Sequence, residues 1–317
     1  MSAISIIICT RDRAGDLALT LESLARVQIP RDRLVELLVV DNGSKDGTAE
    51  VVKGWNPPAG MNKRYVYELQ PGKGHAYNAG IREAKGDILL FTDDDVRVPE
   101  NWILGMIEPI ESGRADAVAG GVRLAQHLMR SWMTPKMQRQ LSSTVGRGAD
   151  SPWSLIGANM SFHRRVLGKV PKIDEQLGPG TPYGFAEETL FGFQLEANGF
   201  RIKTHFDVEV EHHFPVDRLR ACSMLRVAWH MGKSFAYIDW HWRQRGPDSY
   251  RRDLLRAIMR AIPAAPRLLF LSFCRTEKNI QESDFRQVER LAYLFQYNRE
   301  TRRAQCYEMR GSQKKTQ

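Results

Sequence analysis

Ile88-Leu89-Leu90-Phe91-Thr92-Asp93-Asp94-Asp95 sets four apolar residues and a threonine directly before three adjacent aspartates. A short apolar run closed by turn residues reads as a strand buried on both faces. Three neighbouring carboxylates at its end are costly, because like charges at close range repel and raise each other's pKa. A hard divalent cation removes that cost. Magnesium or manganese is typically bound by one or two carboxylates plus substrate phosphates. Alternate residues Asp93 and Asp95 can face the same side of an extended turn. The competing reading is a solvated acidic turn that caps the helix near Pro99, since Asp is common at turns and helix starts.

The same design recurs upstream. Ile4–Cys9 is a continuous apolar run that leads into Thr10-Arg11-Asp12-Arg13. Leu34–Val40 ends in Asp41-Asn42-Gly43, and Tyr65–Leu69 is followed by Gly72-Lys73-Gly74. Helical spacing fills the intervals. Leu17, Leu21 and Leu24 lie within Asp16–Gln28, a short helix runs through Val51 and Val52, and His75–Ala84 takes Gly86 as its stop. Trp102–Ile110 reads as a helix after Pro99, and Ala117–Val122 as a fifth strand. This alternation predicts an α/β fold, a mostly parallel sheet flanked by helices on both faces.

In open parallel sheets, ligands bind beyond the carboxyl ends of the strands. Four polar segments therefore converge on one crevice. Asp41 is placed to accept bonds from a nucleotide base or ribose, with an ordinary Asn-Gly turn before a helix start as the alternative. Gly72-Lys73-Gly74 lets backbone approach a phosphate, with Lys73 as a point charge. Neither the G-x-x-x-x-G-K-[ST] nor the G-x-G-x-x-G spacing follows the first strand, which argues against an ATPase or a nicotinamide-dependent enzyme.

Beyond Arg123 the pattern weakens, and residues 123–150 read as a mobile loop that closes over a ligand. Glu187–Asn198 reads as a helix stopped by Gly199, Arg201–Glu211 as a strand pair, and the chain beyond about Leu219 as helices. The expected division is a catalytic α/β domain over 1–220 and a helical, basic C-terminal region over 221–317.

Of the 317 residues, 42% are hydrophobic and 26% charged, enough for a sizeable core and ordinary for a globular protein. The net charge of +9 is concentrated at the end of the chain, where residues 251–317 hold 15 Lys and Arg against 7 Asp and Glu. A basic tail points to an anionic partner such as lipid headgroups, or to nothing more than a solvated helical surface. The most apolar candidate for a membrane span, Leu254–Cys274, is interrupted by Arg256, Arg260, Arg267, Pro263 and Pro266. It suits a membrane surface and not a crossing. The four cysteines, Cys9, Cys222, Cys274 and Cys306, have no C-x-x-C spacing, which fits a reducing compartment. No basic stretch precedes the short run Ile4–Cys9, so no signal peptide is read there. The expected location is cytoplasmic, with peripheral contact at the inner face of the cell membrane. His230 and His241, among Trp229, Trp240 and Trp242, read as core or as an interfacial belt.

In order and spacing, these segments resemble inverting family 2 glycosyltransferases, which have the glycosyltransferase A fold. The resemblance is carried by Ile6-Ile7-Ile8-Cys9-Thr10-Arg11-Asp12-Arg13, Val39-Val40-Asp41-Asn42-Gly43-Ser44, Asp46-Gly47-Thr48, Asn78-Ala79-Gly80, Phe91-Thr92-Asp93-Asp94-Asp95, Gly157-Ala158-Asn159-Met160 and Ala186-Glu187-Glu188. It covers roughly residues 3–235. It implies transfer of a sugar from a nucleotide diphosphate donor to an acceptor hydroxyl, in polysaccharide, glycolipid or other cell-surface glycan synthesis. It also implies roles. Asp41 contacts the base or ribose. Asp93 and Asp95, with Asp94 beside them, hold manganese or magnesium against the donor diphosphate. Thr10, Arg11, Arg13, Lys73 and Asn78 line the nucleotide-sugar pocket, and Gly157, Ala158 and Asn159 border the sugar and the acceptor.

The family's catalytic base usually sits in a Glu-Asp pair at a helix start. Here the pair is Glu187-Glu188, which puts Glu188 at the base position. The extra methylene matters, because small misplacements cost rate, but the two carboxylates have similar basicity. An acidic helix start that merely complements the helix dipole is the alternative. His212-His213-Phe214-Pro215 resembles a segment whose histidine helps hold the metal, with His212 at the more usual position. The implied partners are a nucleotide diphosphate sugar, a glycan or lipid-linked acceptor, and an anionic membrane surface at the C-terminal region, with no nucleic acid. A sugar nucleotidyltransferase lacks support because no glycine- and basic-rich phosphate loop follows the first strand. A basic nucleic-acid-binding protein lacks any RNP or zinc-finger pattern.

Overall fold

The structure is a computed structural model that describes residues 3–148, 150–247, 249–277 and 280–307. Two compact units divide the chain. One takes the residues up to Thr181 together with Glu187–Phe214, and the other takes Pro182–Ala186 together with the residues from Pro215 onward.

The first unit runs β1 (Ile4–Thr10), α1 (Ala14–Leu24), β2 (Val35–Asp41), α2 (Thr48–Gly54), β3 (Met61–Tyr67), α3 (Lys73–Glu83), β4 (Ile88–Asp93), β5 (Val96–Arg97), α4 (Trp102–Glu111), β6 (Ala117–Leu124), α5 (Pro135–Gln140), β7 (Met160–His163), α6 (Glu187–Ala197) and β8 (Ile202–His212). Among the described residues the strands form one sheet in the order β3-β2-β1-β4-β7-β6-β8-β5. Strands β3, β2, β1 and β4 run parallel, as do β6 and β8. Strand β7 is antiparallel to β4 and β6, and β5 to β8.

The unbroken apolar run of β1 follows from burial on both faces, since all seven of its residues are buried. Ile4, Ile6 and Ile8 pack with Leu17, Leu21 and Leu24 of α1, while Ile7 and Cys9 pack with Ala76, Tyr77 and Ala79 of α3. Cys9 is thus a packing residue, and burial pushes its thiol pKa up. The register sets Thr10 beside Asp41, Asp41 beside Tyr67, and Cys9 beside Asp93. The polar ends of these strands therefore share one edge of the sheet.

The third strand begins four residues earlier than its apolar run suggests and stops at Tyr67. As an edge strand it needs no continuous apolar face. Lys63 instead donates to the Val52 and Lys53 carbonyls at 2.8 and 2.7 Å. The expected strand pair over 201–211 is one strand, β8, with a register shift against β6 at Gly120 and Gly121. Gly86 does not stop α3 by a left-handed turn. The helix ends at Glu83, and a Cβ on Gly86 would lie 2.5 Å from the Ser5 nitrogen, so the glycine permits close approach to β1. The aperiodic stretch after Arg123 carries structure. It holds the end of β6, a single turn over Gln126–Leu128, and α5, which buries Met137 and is capped by Thr134.

The second unit contains α7 (Ala221–His241), α8 (Tyr250–Phe273) and α9 (Glu282–Glu300). No helix among the described residues is long and apolar enough to cross a membrane. Glu300, at the end of α9, is fully buried and heavily bonded. It accepts from the Tyr183 hydroxyl at 2.7 Å and from the Gln296 amide, and it faces His241 Nε2 at 3.1 Å and Arg303 Nη1 at 3.4 Å. Burial pushes its carboxyl up, but the bonds from His241, Tyr183 and Gln296 outweigh that and bring it down to about 2. A depressed carboxylate stabilises the fold above the ordinary glutamate value and loses that contribution as pH falls toward 2. Glu300→Gln is expected to cost about 2 kcal/mol near neutral pH. Denaturant melts at several pH values should show the difference shrinking below about pH 4.

Candidate active site

At the edge where the strand ends meet, Asp41 is buried and doubly bonded. Its Oδ1 accepts the Ser44 backbone N–H at 2.7 Å and its Oδ2 accepts the Tyr65 hydroxyl at 2.6 Å. Asn42, which sequence reasoning passed over as a turn residue, anchors the next loop. Its amide donates to the Glu68 and Gln70 carbonyls and its Oδ1 accepts the Gly72 N–H at 2.8 Å. This fixes the start of α3 and so places Lys73, the first residue of that helix.

The three aspartates have separate partners. Lys73 Nζ donates to Asp93 Oδ1 at 2.7 Å. Asp94 turns inward, accepting from the Thr10 hydroxyl at 2.7 Å and from Arg13 Nη1 at 3.1 Å. Burial, opposed by the Arg13 guanidinium, leaves the Asp94 carboxyl pushed up to about 7. Asp95 Oδ2 pairs with Arg13 Nη2 at 2.9 Å, and its Oδ1 faces His212 Nε2 at 3.3 Å. Arg13 also pairs with Asp16 at 3.0 Å, so it acts as an internal counter-charge for the acidic run. Burial pulls that guanidinium's pKa down, and Asp94, Asp95 and Asp16 more than restore it. Arg11 is half-exposed beside Asp12.

His212 Nδ1 lies 3.1 Å from the Leu141 carbonyl, which can only accept. The ring thus directs Nδ1 to that carbonyl and Nε2 to the Asp95 carboxylate oxygen. Asp95 and His212 bring a carboxylate oxygen and an imidazole nitrogen within 3.3 Å of each other, a donor pair that a divalent cation can use. Among the described residues no three His, Cys, Asp or Glu side chains close a metal site by themselves. A site of this kind would be completed by substrate oxygens. His213 turns away to Glu211 at 2.6 Å and packs on the His127 ring.

Glu187 and Glu188 open α6. The structure separates them. Glu187 is buried, and its pKa is pushed well up by burial and then by its neighbour Glu188. Glu188 is partly accessible, and its Oε1 accepts the Gly157 N–H at 2.9 Å. A Cβ on Gly157 would lie 2.1 Å from the Tyr77 hydroxyl, 2.6 Å from Glu188 Oε1 and 3.3 Å from Lys73 Nζ. These three groups therefore crowd one point. Burial pulls the Lys73 ammonium down, but Asp93, with Glu188 and Glu187 behind it, raises its pKa well above the ordinary lysine value. Tyr77 was missed in the sequence. Its position four residues after Lys73, hence on the same helix face, was the available signal.

Three expected site residues have their polar groups engaged within the fold. Asn159 is fully buried, donating to the Gly121 and Val208 carbonyls at 2.8 Å each and accepting from Trp102 Nε1 at 2.9 Å. Its amide is spent on joining β6, β8 and α4. Ala158 is fully buried and its carbonyl accepts the Thr92 hydroxyl. Asn78 exchanges bonds with the Ile173 backbone at 2.9 Å and reaches Glu175, tying α3 to the loop that follows β7.

The model of the family described as "Glycosyl transferase family 2" matches residues 5–170, just over half of the chain. Curated relatives include the succinoglycan biosynthesis protein ExoM of Rhizobium meliloti, 32% identical over 120 residues, 38% of each chain. Glycosyltransferase AglE of Haloferax volcanii is 30% identical over 119 residues, 38% of this chain and 39% of that one. The match thus spans under two-fifths of the length of either relative. Among solved structures, a mannosyltransferase of Pyrobaculum calidifontis in complex with GDP-Man and Mn2+ superposes with a TM-score of 0.57 at 19% identity, over 94% of this chain and 86% of that one. At that identity the likeness establishes the fold.

Proposed function

The chain belongs to glycosyl transferase family 2, and from that membership we propose that it moves a sugar from a nucleotide diphosphate donor to an acceptor hydroxyl by a single displacement. The acceptor belongs to a cell-surface glycan, free or carried on lipid. The observation that carries this reading is the meeting of Lys73, Tyr77 and Glu188 around Gly157, with Lys73 in turn 2.7 Å from Asp93. A carboxylate able to take a proton thus lies one side chain away from the acidic run suited to a diphosphate.

Glu188 takes the acceptor hydroxyl's proton as the oxygen bonds to the anomeric carbon. The bond from that carbon to the diphosphate breaks, and its electron pair leaves with the phosphate oxygen. A divalent cation held by Asp95 and His212 and completed by substrate oxygens, with Asp93 at the same strand end, would supply positive charge against that oxygen. Lys73 adds charge at the amino end of α3, where the helix dipole also favours an anion. Asp41 and Tyr65 offer a polar wall to the nucleoside. Arg13 keeps Asp94 and Asp95 compatible at close range. Burial and the neighbouring Glu188 push the Glu187 carboxyl pKa well up, while Glu188 is the partly accessible member of the pair. The donor class is supported by the GDP-Man held by the Pyrobaculum neighbour, which does not fix the base used here.

Gly157→Ala is expected to lower kcat by about a hundredfold, because the added methyl displaces Glu188 or Tyr77 from their present positions. Donor turnover with a melting curve as control checks this. The displacement itself is tested with water as acceptor. A panel of nucleotide sugars is incubated with enzyme and manganese, and the released sugar is read by proton NMR before it mutarotates. Inverted configuration is expected, and a retained anomer would rule out the single displacement.

A further inference from the structure

The helix α8 presents an apolar face that nothing in its own unit covers. Of its 24 residues only Leu271 is fully buried. Leu255, Met259, Ile262, Leu269 and Phe270 are each about two-thirds exposed, and Phe273 is 78% exposed. At 100° per residue these six side chains fall within one arc of about 100°. Isolated exposed apolar residues are ordinary, but a continuous apolar stripe of this length marks an interaction surface. The helix also carries Pro263 and Pro266, which remove backbone donors from its interior. Little inside the unit accounts for an intact helix with so few buried residues.

The charges beside the stripe indicate what covers it. Arg252 and Arg256 follow at a four-residue step along one border, Arg260 continues that row toward the α9 side, and Arg251 stands at the amino end. All four are exposed, and none pairs with an acidic residue among the described residues. The ion pairs that the helix does make, Arg267 with Asp284 and Asp253 with Arg290, lie on the side turned to α9. No acidic residue occurs from Leu254 to Phe273. An apolar stripe bordered by unpaired arginines matches the plane where anionic headgroups meet acyl chains. Arginine stems can lie along the apolar surface while the guanidinium groups reach the phosphates.

We propose that α8 docks the protein in the plane of an anionic bilayer, with Leu255, Met259, Ile262, Leu269, Phe270 and Phe273 buried among acyl chains and Arg251, Arg252, Arg256 and Arg260 on the headgroups. The proposal is independent of the catalytic reading, since it uses no residue of the crevice. Bound to a bilayer, the enzyme would meet lipid-linked acceptors by diffusion in two dimensions.

The test is flotation of the intact protein with vesicles of phosphatidylcholine alone and of phosphatidylcholine mixed with phosphatidylglycerol. Two variants accompany it, Leu255→Glu/Ile262→Glu/Phe270→Glu and Arg251→Gln/Arg252→Gln/Arg256→Gln/Arg260→Gln. All the substituted side chains are exposed, and circular dichroism verifies the fold. Wild type is expected to float with the anionic vesicles and to be released by high salt. The arginine variant should bind several hundredfold more weakly, at about fivefold for each of the four arginines. The glutamate variant should not float. Absence of wild-type flotation, or equal flotation of all three proteins, overturns the proposal. A wild-type dimer in light scattering that the glutamate variant abolishes, without flotation, would instead assign the face to a second copy of the chain. Nucleoside diphosphate binding is measured on the same samples. Its retention in a protein that does not float refutes the docking face alone, and its loss in a protein that floats refutes the catalytic reading alone.

Discussion

Glu188→Gln lowers kcat by about a thousandfold and leaves nucleoside diphosphate affinity within about twofold, because the amide keeps the contact but cannot take a proton. The Gly157 N–H that now donates to Glu188 Oε1 at 2.9 Å can donate equally to the amide oxygen, so the side chain stays where it is. What is lost is a basic oxygen at the point where Lys73, Tyr77 and Glu188 converge. The neighbouring substitution supplies the contrast. Glu187 is buried, and its pKa is pushed well up by burial and by Glu188. Glu187→Gln replaces that acid with a neutral group of the same shape and is expected to keep kcat within about fivefold. Equal losses from the two substitutions would mean that the pair acts as one acidic unit, and Glu188 could not be assigned the base role by itself.

Asp95→Asn has the second large effect. It removes one charge from the oxygen pair that Arg13 Nη2 and His212 Nε2 approach at 2.9 and 3.3 Å. Metal-dependent affinity for a nucleoside diphosphate is expected to fall about a hundredfold, with the weak metal-independent part unchanged. Arg13 keeps Asp94 and Asp16 as partners, so the fold should persist. Titration calorimetry with and without manganese, alongside a thermal melt, separates loss of the site from loss of the fold. Asp94→Asn should differ, because Asp94 is turned toward Thr10 and Arg13 and has a carboxyl already pushed up to about 7 by burial.

The alternation of strands and helices was legible because β1, β2 and β4 are buried on both faces and so read as unbroken apolar runs. The acidic strand ends were legible for a related reason, since each polar residue interrupts such a run at its carboxyl end. Pairings between distant segments were not legible. The four residues of β7 and the two of β5 have no periodicity of their own, and they are strands only because β4, β6 and β8 offer them partners. The division of labour among Asp93, Asp94 and Asp95 was hidden for the same reason, being set by Arg13 and Lys73 from other elements. Asn78 and Asn159 show the converse. Their positions in motifs drew them into the expected site, but every amide proton of Asn159 is committed to backbone carbonyls and Asn78 anchors a loop. A motif position records that a residue type is needed there, and the need can be architectural. Glu187 and Glu188 are the same residue type, and the structure separates them by burial and by the Gly157 N–H bond to Glu188.

The measurement that bears most directly on the crevice is titration calorimetry of UDP, GDP, dTDP and CDP, each with and without Mn2+, on the intact protein and on Asp93→Ala/Asp95→Ala. Manganese-dependent binding of one nucleotide, abolished in the double variant while its melting temperature stays near that of the parent, is the expected result. Failure of a well-folded parent to bind any of the four, with or without the metal, would contradict a donor site at the ends of β1, β2 and β4.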